Sequence, residues 1–320
     1  MKKSIFIISC FSALIIYACS SIEMNNQENE ANINFTEFIY SVYDPLTLNT
    51  FEQTNYLLED HKITSSIYYR NSSNTTLTNT YIYLNDKISE IITYENNQVI
   101  KETNYNYDNS GNLVEYISKY NETDTLQLSY DKHTFNHTQD TIFVERKKSL
   151  DGINYDTQIS TMKMILDENN NRVYFEAFDY IHNEQINIIK NTYDTNNNMI
   201  VEETSTQFED GSASIISLDT YGYNTSINTL EVIYQKTFGR KNSMLLYHLE
   251  PQLLFNFNPR FISPNSINAF TSNSINIEAF PVEFENTLNN DGYSILDDFI
   301  VYSSNSTDYF HKFTLEYISE

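Results

Sequence analysis

Three groups of residues have types and spacings that could do chemistry: two Asp-x-Asn-x-Asn runs, a scatter of histidines, and a cysteine closing an apolar run. The runs Asp167–Asn171 and Asp194–Asn198 start like an EF-hand calcium loop. Such a loop also needs glycine at its sixth position and a bidentate glutamate at its twelfth. Here Arg172 and Met199 hold the sixth, and Phe178 and Ser205 the twelfth. The bidentate ligand is missing from both, so these runs read as hairpin turns. Of six histidines (His61, His133, His137, His182, His248, His311), His133 and His137 stand closest. Four apart in an extended stretch they share a face but lie too far apart for one zinc ion. There is no Gly-x-Ser-x-Gly, and six glycines leave little material for a phosphate loop. The 43 acidic residues offer every carboxylate pair a glycosidase could use and single out none. The expectation is no metal, no cofactor and no catalytic residue.

Cys19 carries a clearer message. The chain opens MKKSIFIISCFSALIIYACSS: Lys2 and Lys3, an uncharged run from Ile5 to Ala18, then Cys19. That run is too short for a bilayer core, which takes about 20 residues, and has the anatomy of a signal peptide over residues 1–18. Ile16-Tyr17-Ala18-Cys19 resembles the lipobox of bacterial lipoproteins, which implies cleavage after Ala18 and acylation of Cys19 with palmitate-like chains. Tyr17 is bulkier than is usual at its place. The other cysteine, Cys10, leaves with the signal, so the mature chain can form no internal disulfide. Residues 19–34 are polar and acidic and read as a flexible tether.

Composition then sets the class. The formal net charge is −24, and it becomes two units more negative once Lys2 and Lys3 are removed. A field of that sign repels phosphate backbones, so nucleic acid is excluded as a partner. The basic clusters Arg146-Lys147-Lys148 and Arg240-Lys241 read as solvated strand ends. Tyrosine (26) and phenylalanine (20) are abundant and tryptophan is absent. Aromatic and β-branched residues suit a pleated sheet, and asparagine suits turns that need φ > 0.

A phrase recurs through residues 35–320: an alternating strand, an acidic residue, an Asn-rich turn, another strand. YDNSGNLVEY (Tyr107 to Tyr116), LDENNNRVYF (Leu166 to Phe175) and YDTNNNMIVE (Tyr193 to Glu202) are its clearest copies. Asp108, Asp167 and Asp194 are expected to open their turns by accepting backbone N–H groups. Asn112, Asn171 and Asn198 are expected four residues later in the left-handed conformation that returns the chain to a strand. Strict alternation places Leu113, Glu115 and Ile117 on one face and Val114, Tyr116 and Ser118 on the other. Neither face is cleanly apolar. The expected fold is all-β: an antiparallel meander of repeated β-hairpins in a twisted sheet, closed by residues 239–320, with little helix. The best helical candidate is Met244 to Phe255, broken by Pro251.

Tyr107-Asp108-Asn109-Ser110-Gly111-Asn112-Leu113 resembles one copy of the YD (Rhs-type) repeat. From about residue 60 onward the chain resembles lipoproteins of Gram-negative, gut-type (Bacteroidota-like) bacteria that end in a β-rich domain of unknown function. GRKNSMLLYHL (Gly239 to Leu249), FISPNSI (Phe261 to Ile267) and NNDGYSI followed by HKFTLEYI (His311 to Ile318) carry that likeness. Ser243 stands where the family often has proline. The resemblance implies a β fold and a lipid-anchored place in the cell envelope, at the outer membrane, and it implies no activity. The function read from the sequence is a non-enzymatic binding or scaffold module, held at the membrane by its lipid, with a glycan or an envelope protein as the partner its tyrosines would suit. The second reading is a glycan-acting hydrolase of the envelope using paired carboxylates.

Overall fold

Alternating sequence, tight Asn-rich turns and scarce glycine build a single antiparallel meander. The computed structural model describes residues 34–319, apart from 45–46, 48, 72–74, 122–127, 181–183, 208–212, 250–262, 275–281 and 303–308. Cys19 and the rest of residues 1–33 therefore lie outside the described residues. The strands are β1 (Phe35–Tyr43), β2 (Thr50–Glu59), β3 (Lys62–Arg70), β4 (Thr75–Leu84), β5 (Lys87–Glu95) and β6 (Gln98–Tyr107). There follow β7 (Leu113–Asn121), β8 (Leu128–Thr138), β9 (Thr141–Ser149), β10 (Thr157–Leu166), β11 (Arg172–Asp179) and β12 (Glu184–Tyr193). Then come β13 (Met199–Gln207), β14 (Ala213–Ile227), helices α1 (Thr229–Phe238) and α2 (Arg240–Leu249), and β15 (Asn265–Ser274). The chain ends with β16 (Val282–Leu288), β17 (Ser294–Tyr302) and β18 (Tyr309–Ser319).

All 18 strands belong to one sheet, and each lies beside its neighbours in sequence. The exception is the first strand, which also pairs with the last: Phe38 faces Tyr317 on one side and Tyr56 on the other. The meander so closes into a nearly complete barrel, which shields the sheet edges that an open sheet would expose.

Two ends follow from the up-and-down path. The base holds the turns 60–61, 85–86, 108–112, 139–140, 167–171, 194–198 and 289–293, the α1–α2 segment, the start of β1 and the end of β18. The rim holds the connections on the other side, including 150–156 between β9 and β10.

The helices fill the base. Asn228 caps α1, its Oδ1 accepting from Leu230 N at 3.1 Å. Gly239 separates the helices at φ 76°, a conformation that strains any side chain bearing a Cβ. Seven of the ten α1 residues are buried, and the exposed Gln235 and Lys236 lie on the opposite side of the helix. The Ile63 backbone N–H donates to Thr237 at 3.1 Å, which docks α1 on β3. Leu230 and Ile233 are almost fully buried, each stabilising the fold by about 2 kcal/mol. In α2, Met244, Leu245 and Leu246 are buried as well. The inner face of the sheet meets them with Tyr56, Ile63, Tyr81, Ile88, Ile91 and Tyr317.

Three sequence expectations change here. The helix expected from Met244 begins earlier, at Arg240, and reaches Leu249 before Pro251; residues 250–255 lie outside the described residues. Helix α1 was not expected at all. Strict alternation also fails at β7. A bulge sets Leu113 opposite Tyr107 and Tyr116 opposite Tyr105, so Leu113, Tyr116 and Ser118 share the inner face while Glu115 and Ile117 point out.

Candidate functional site

The Asp-opened turns are built alike, and they end on the helices. Asp108 Oδ1 accepts from the backbone N–H of Ser110 (2.9 Å) and Asn112 (2.8 Å), and Oδ2 accepts from Asn112 Nδ2 (2.8 Å). Asp167 does the same with Asn169 and Asn171, and Asp194 with Asn196 and Asn198. Each carboxylate faces N–H donors, which orients it away from a role as cation ligand. These bonds hold the Asp108 carboxyl below the usual carboxylate range.

The left-handed residues are Gly111 (φ 85°), Asn170 (φ 61°) and Asn197 (φ 66°), not Asn112, Asn171 and Asn198. The expected conformation belongs one residue earlier. The reason is the bulge that follows each turn: the fifth residue is already extended, and its side chain is free to reach across the base.

That reach makes a clamp. Asn171 Oδ1 accepts from Arg240 Nη2 at 2.5 Å and Nε at 3.1 Å, while its Nδ2 donates to Asn197 Oδ1 at 3.0 Å. Asn112 Oδ1 accepts from Lys241 Nζ at 2.7 Å. Asn198 Oδ1 accepts from Asn265 N at 3.0 Å and its Nδ2 donates to Asn265 Oδ1 at 3.0 Å. Arg240 also donates to Glu231 on α1 at 2.8 Å. Arg240 and Lys241 are thus not solvated strand ends but the start of α2, pinned to the turns. Asn171 and Asn198 are buried.

Charges buried in the wall are likewise held by specific partners. Arg172, fully buried, donates to Asn191 Oδ1 (2.9 Å) and Glu202 Oε2 (3.1 Å). Arg146 holds the buried Asp131 through Nε and Nη2 at 3.0 and 2.5 Å, so it too departs from the solvated strand end expected of it. Lys148 is exposed on β9. His133 is stacked on Tyr116 (centroids 4.3 Å apart), and burial pushes its pKa down to about 3, so it is neutral at ordinary pH. His137 Nε2 donates to the Leu113 carbonyl at 2.7 Å. Among the described residues no group of three His, Cys, Asp or Glu side chains could hold a metal ion. Asp297, whose carboxyl burial pushes up, borders a cavity with room for about one water molecule, beside Asn228, Ser266 and Asn286.

The tyrosines divide by face. Tyr56, Tyr81, Tyr105, Tyr116 and Tyr317 are buried on the sheet's inner face, where they pack across strands rather than as a stacking platform, and Tyr234 is buried on α1.

The outer face is different. Across β6 to β13 its mid-strand positions carry charge, much of it paired: Lys119–Glu102 (2.8 Å), Lys132–Glu115 (2.5 Å), Lys147–Glu145 (3.0 Å) and Lys190–Glu203 (3.4 Å). At the rim, sequence reasoning missed one loop. Ser149 Oγ accepts from the backbone N–H of Asp151 and Gly152 at 3.2 and 3.0 Å. Asp151 Oδ1 accepts from Ile153 N (2.9 Å) and Asn154 N (2.8 Å), and Oδ2 accepts from Asn154 Nδ2 (2.7 Å). Gly152 stands at φ 72° against the Tyr130 ring, where a Cβ would come within 2.9 Å. The Ser149-x-Asp151-Gly152 spacing was the available signal.

No family matches the chain, and no curated protein matches it. Among solved structures, it is similar to a porin-like protein from Bacteroides uniformis at 11% identity, covering 89% of this chain and 96% of that one, with a TM-score of 0.35. A porin-like protein from Bacteroides vulgatus gives 8% identity, 90% and 99% coverage, and a TM-score of 0.32. TcdB2-TccC3 gives 9% identity over 77% of this chain and 15% of that one, with a TM-score of 0.25. At this level the fold rests on the strand pairings themselves: an all-β antiparallel barrel with a helical filling.

Proposed function

We propose that this protein is a lipid-anchored, non-enzymatic binding or scaffold module of the cell envelope, attached at the outer membrane through Cys19, with its barrel standing in water. The observation that carries this reading is the outer face. A membrane-spanning barrel needs an outward apolar band about 25 Å tall, and charges at its middle cost about 2–4 kcal/mol each. This barrel carries Glu102, Lys119, Glu115, Lys132, Glu145, Lys163 and Lys190 there. Its inner face packs on α1 and α2, which supports a solid support rather than a conduit. The buried carboxylates Asp131, Glu202 and Glu231 are each held by an arginine, so they favour architecture over paired-carboxylate hydrolysis. The signal-like start and Cys19 supply the anchor, and the YD-type turns supply the likeness to envelope proteins.

The test is fractionation. Wild type is expected in the membrane pellet and released as a folded barrel by detergent, and Cys19→Ser is expected in the soluble fraction. A Cys19→Ser chain that still sediments with membranes, and resists alkaline extraction, overturns the reading.

A further inference from the structure

A buried polar cluster lies where α1 meets β15, β16 and β17. Its centre is Asp297 on β17, 4% exposed. Asp131, Glu202 and Glu231 are each held by an arginine, but Asp297 accepts from neutral donors, Asn286 Nδ2 at 2.5 Å and Ser294 Oγ. Burial pushes its carboxyl up, and Asp298 beside it adds charge of its own sign. A carboxylate offers about four acceptor positions, more than these donors fill. Bordering the same small cavity stands Ser266 of β15, 3% exposed, whose hydroxyl meets no partner among the described residues. Buried hydroxyls are ordinarily satisfied. Here a donor and an acceptor line one gap with none of the chain's own polar atoms to join them.

We propose that this cavity is a binding site for one water molecule, which accepts from the Ser266 hydroxyl and donates to the Asp297 carboxylate. Its size suits a single water. Buried waters make about three hydrogen bonds. The third falls to Asn286 Oδ1, which accepts from Asn224 Nδ2 at 3.1 Å and has a second lone pair. A metal cation fits less well, since hard cations take about six or more oxygens and half of this wall is apolar, Leu230 and Phe299 among it. β15 and β17 do not pair directly, because β16 lies between them. The water therefore ties two strands that the sheet's own hydrogen bonds leave apart. It does so beside the first turn of α1, whose Thr229 donates to the Ser294 carbonyl, and so pins the helices to the closing strands.

The experiment reads the sign of a stability change in the full chain. For a dry gap, Ser266→Ala removes an unsatisfied hydroxyl and Ser266→Val fills a void, so the melting temperature holds or rises. For a bound water both changes lower it, by about 3 °C or more, because Asp297 loses part of its hydration. Alanine cannot overpack the site, so its fall separates lost hydration from a clash. A crystal structure of the wild type is expected to show one water about 2.5–3.0 Å from both groups. A smaller fall or a rise in Ser266→Ala overturns the proposal, as does a crystal structure with no water between Ser266 and Asp297. A wild-type melting temperature that rises when sodium replaces choline at equal ionic strength also overturns it, since that identifies a cation as the occupant.

Discussion

The two ends of the barrel solve the same problem, turning a chain between antiparallel strands, in opposite ways. At the base the turn residues look inward: Asp108, Asp167 and Asp194 fix the loop, and Asn112, Asn171 and Asn198 pass the hold on to Lys241, Arg240 and Asn265. At the rim, Asp151 fixes its loop with the same kind of carboxylate-to-backbone bonds but hands nothing on, and Leu150 and Ile153 are left in solvent. One chemistry therefore serves architecture at one end and display at the other. What separates the two is whether the residue after the turn has somewhere to go.

The comparison can be broken hardest at Arg172. Removing it as Arg172→Leu strands Glu202 in the base without its cation, and such losses cost about 3–5 kcal/mol. A fall of roughly 10 °C in melting temperature is expected by calorimetry. A fall of less than about 2 °C would show that the base does not depend on that pair.

Next come the turn asparagines, where paired substitutions separate backbone from side chain. Asn198 is extended and bonds with its amide, so Asn198→Val and Asn198→Gly should both destabilise, by about 1–3 kcal/mol. Asn170 is left-handed and exposed, so Asn170→Val should cost about 1–2 kcal/mol while Asn170→Gly stays near neutral. Thermal melts in which Asn198 showed the Val–Gly split and Asn170 did not would reverse the assignment.

Acid is the third lever. The folded protein keeps His133 neutral down to about pH 3, whereas the unfolded chain protonates it near 6.5. Its contribution is present above pH 6.5 and is lost as pH falls from there towards 3, at about 1 kcal/mol per unit. Glu231 and Asp297, whose carboxyls burial pushes up, act with the opposite slope, so the measurement is a difference. His133→Phe should lose less stability than wild type between pH 6.5 and 4.5. Parallel slopes would contradict it.

The smallest effect belongs to the rim. Ile153→Ser and Leu150→Ser should shift stability by less than about 0.5 kcal/mol, because both side chains are mostly exposed. A larger loss in denaturant titration would mean that the tip is part of the core.

Much of this was legible in the residues, and the misses have causes. The fold class and the Asp-opened turns follow from alternation and turn chemistry. The bulges do not, because an extra residue such as Val114 leaves no mark in composition, yet it moves Leu113 to the other face. Helix α1 hid because its apolar stripe, Leu230, Ile233, Tyr234 and Phe238, lies within only ten residues and its buried side also carries Thr229, Glu231 and Thr237. Asn228 followed three residues later by Glu231 resembles a capping pattern and was the readable trace. Arg240 and Lys241 were unreadable as clamp residues because their partners lie about 70 and 130 positions away.

The pairing of β1 with β18 has a kinetic side. Nearly every other contact in the sheet joins strands adjacent in sequence, so hairpins can form one after another as the chain emerges. Phe38 can meet Tyr56 early, but Tyr317 arrives last. Until then the far side of β1 is an unpaired edge, open to the first strand of any neighbouring chain. The vulnerable interval in this protein's life is the wait between synthesis of its first strand and its last, and a chain truncated before Tyr309 would never leave it.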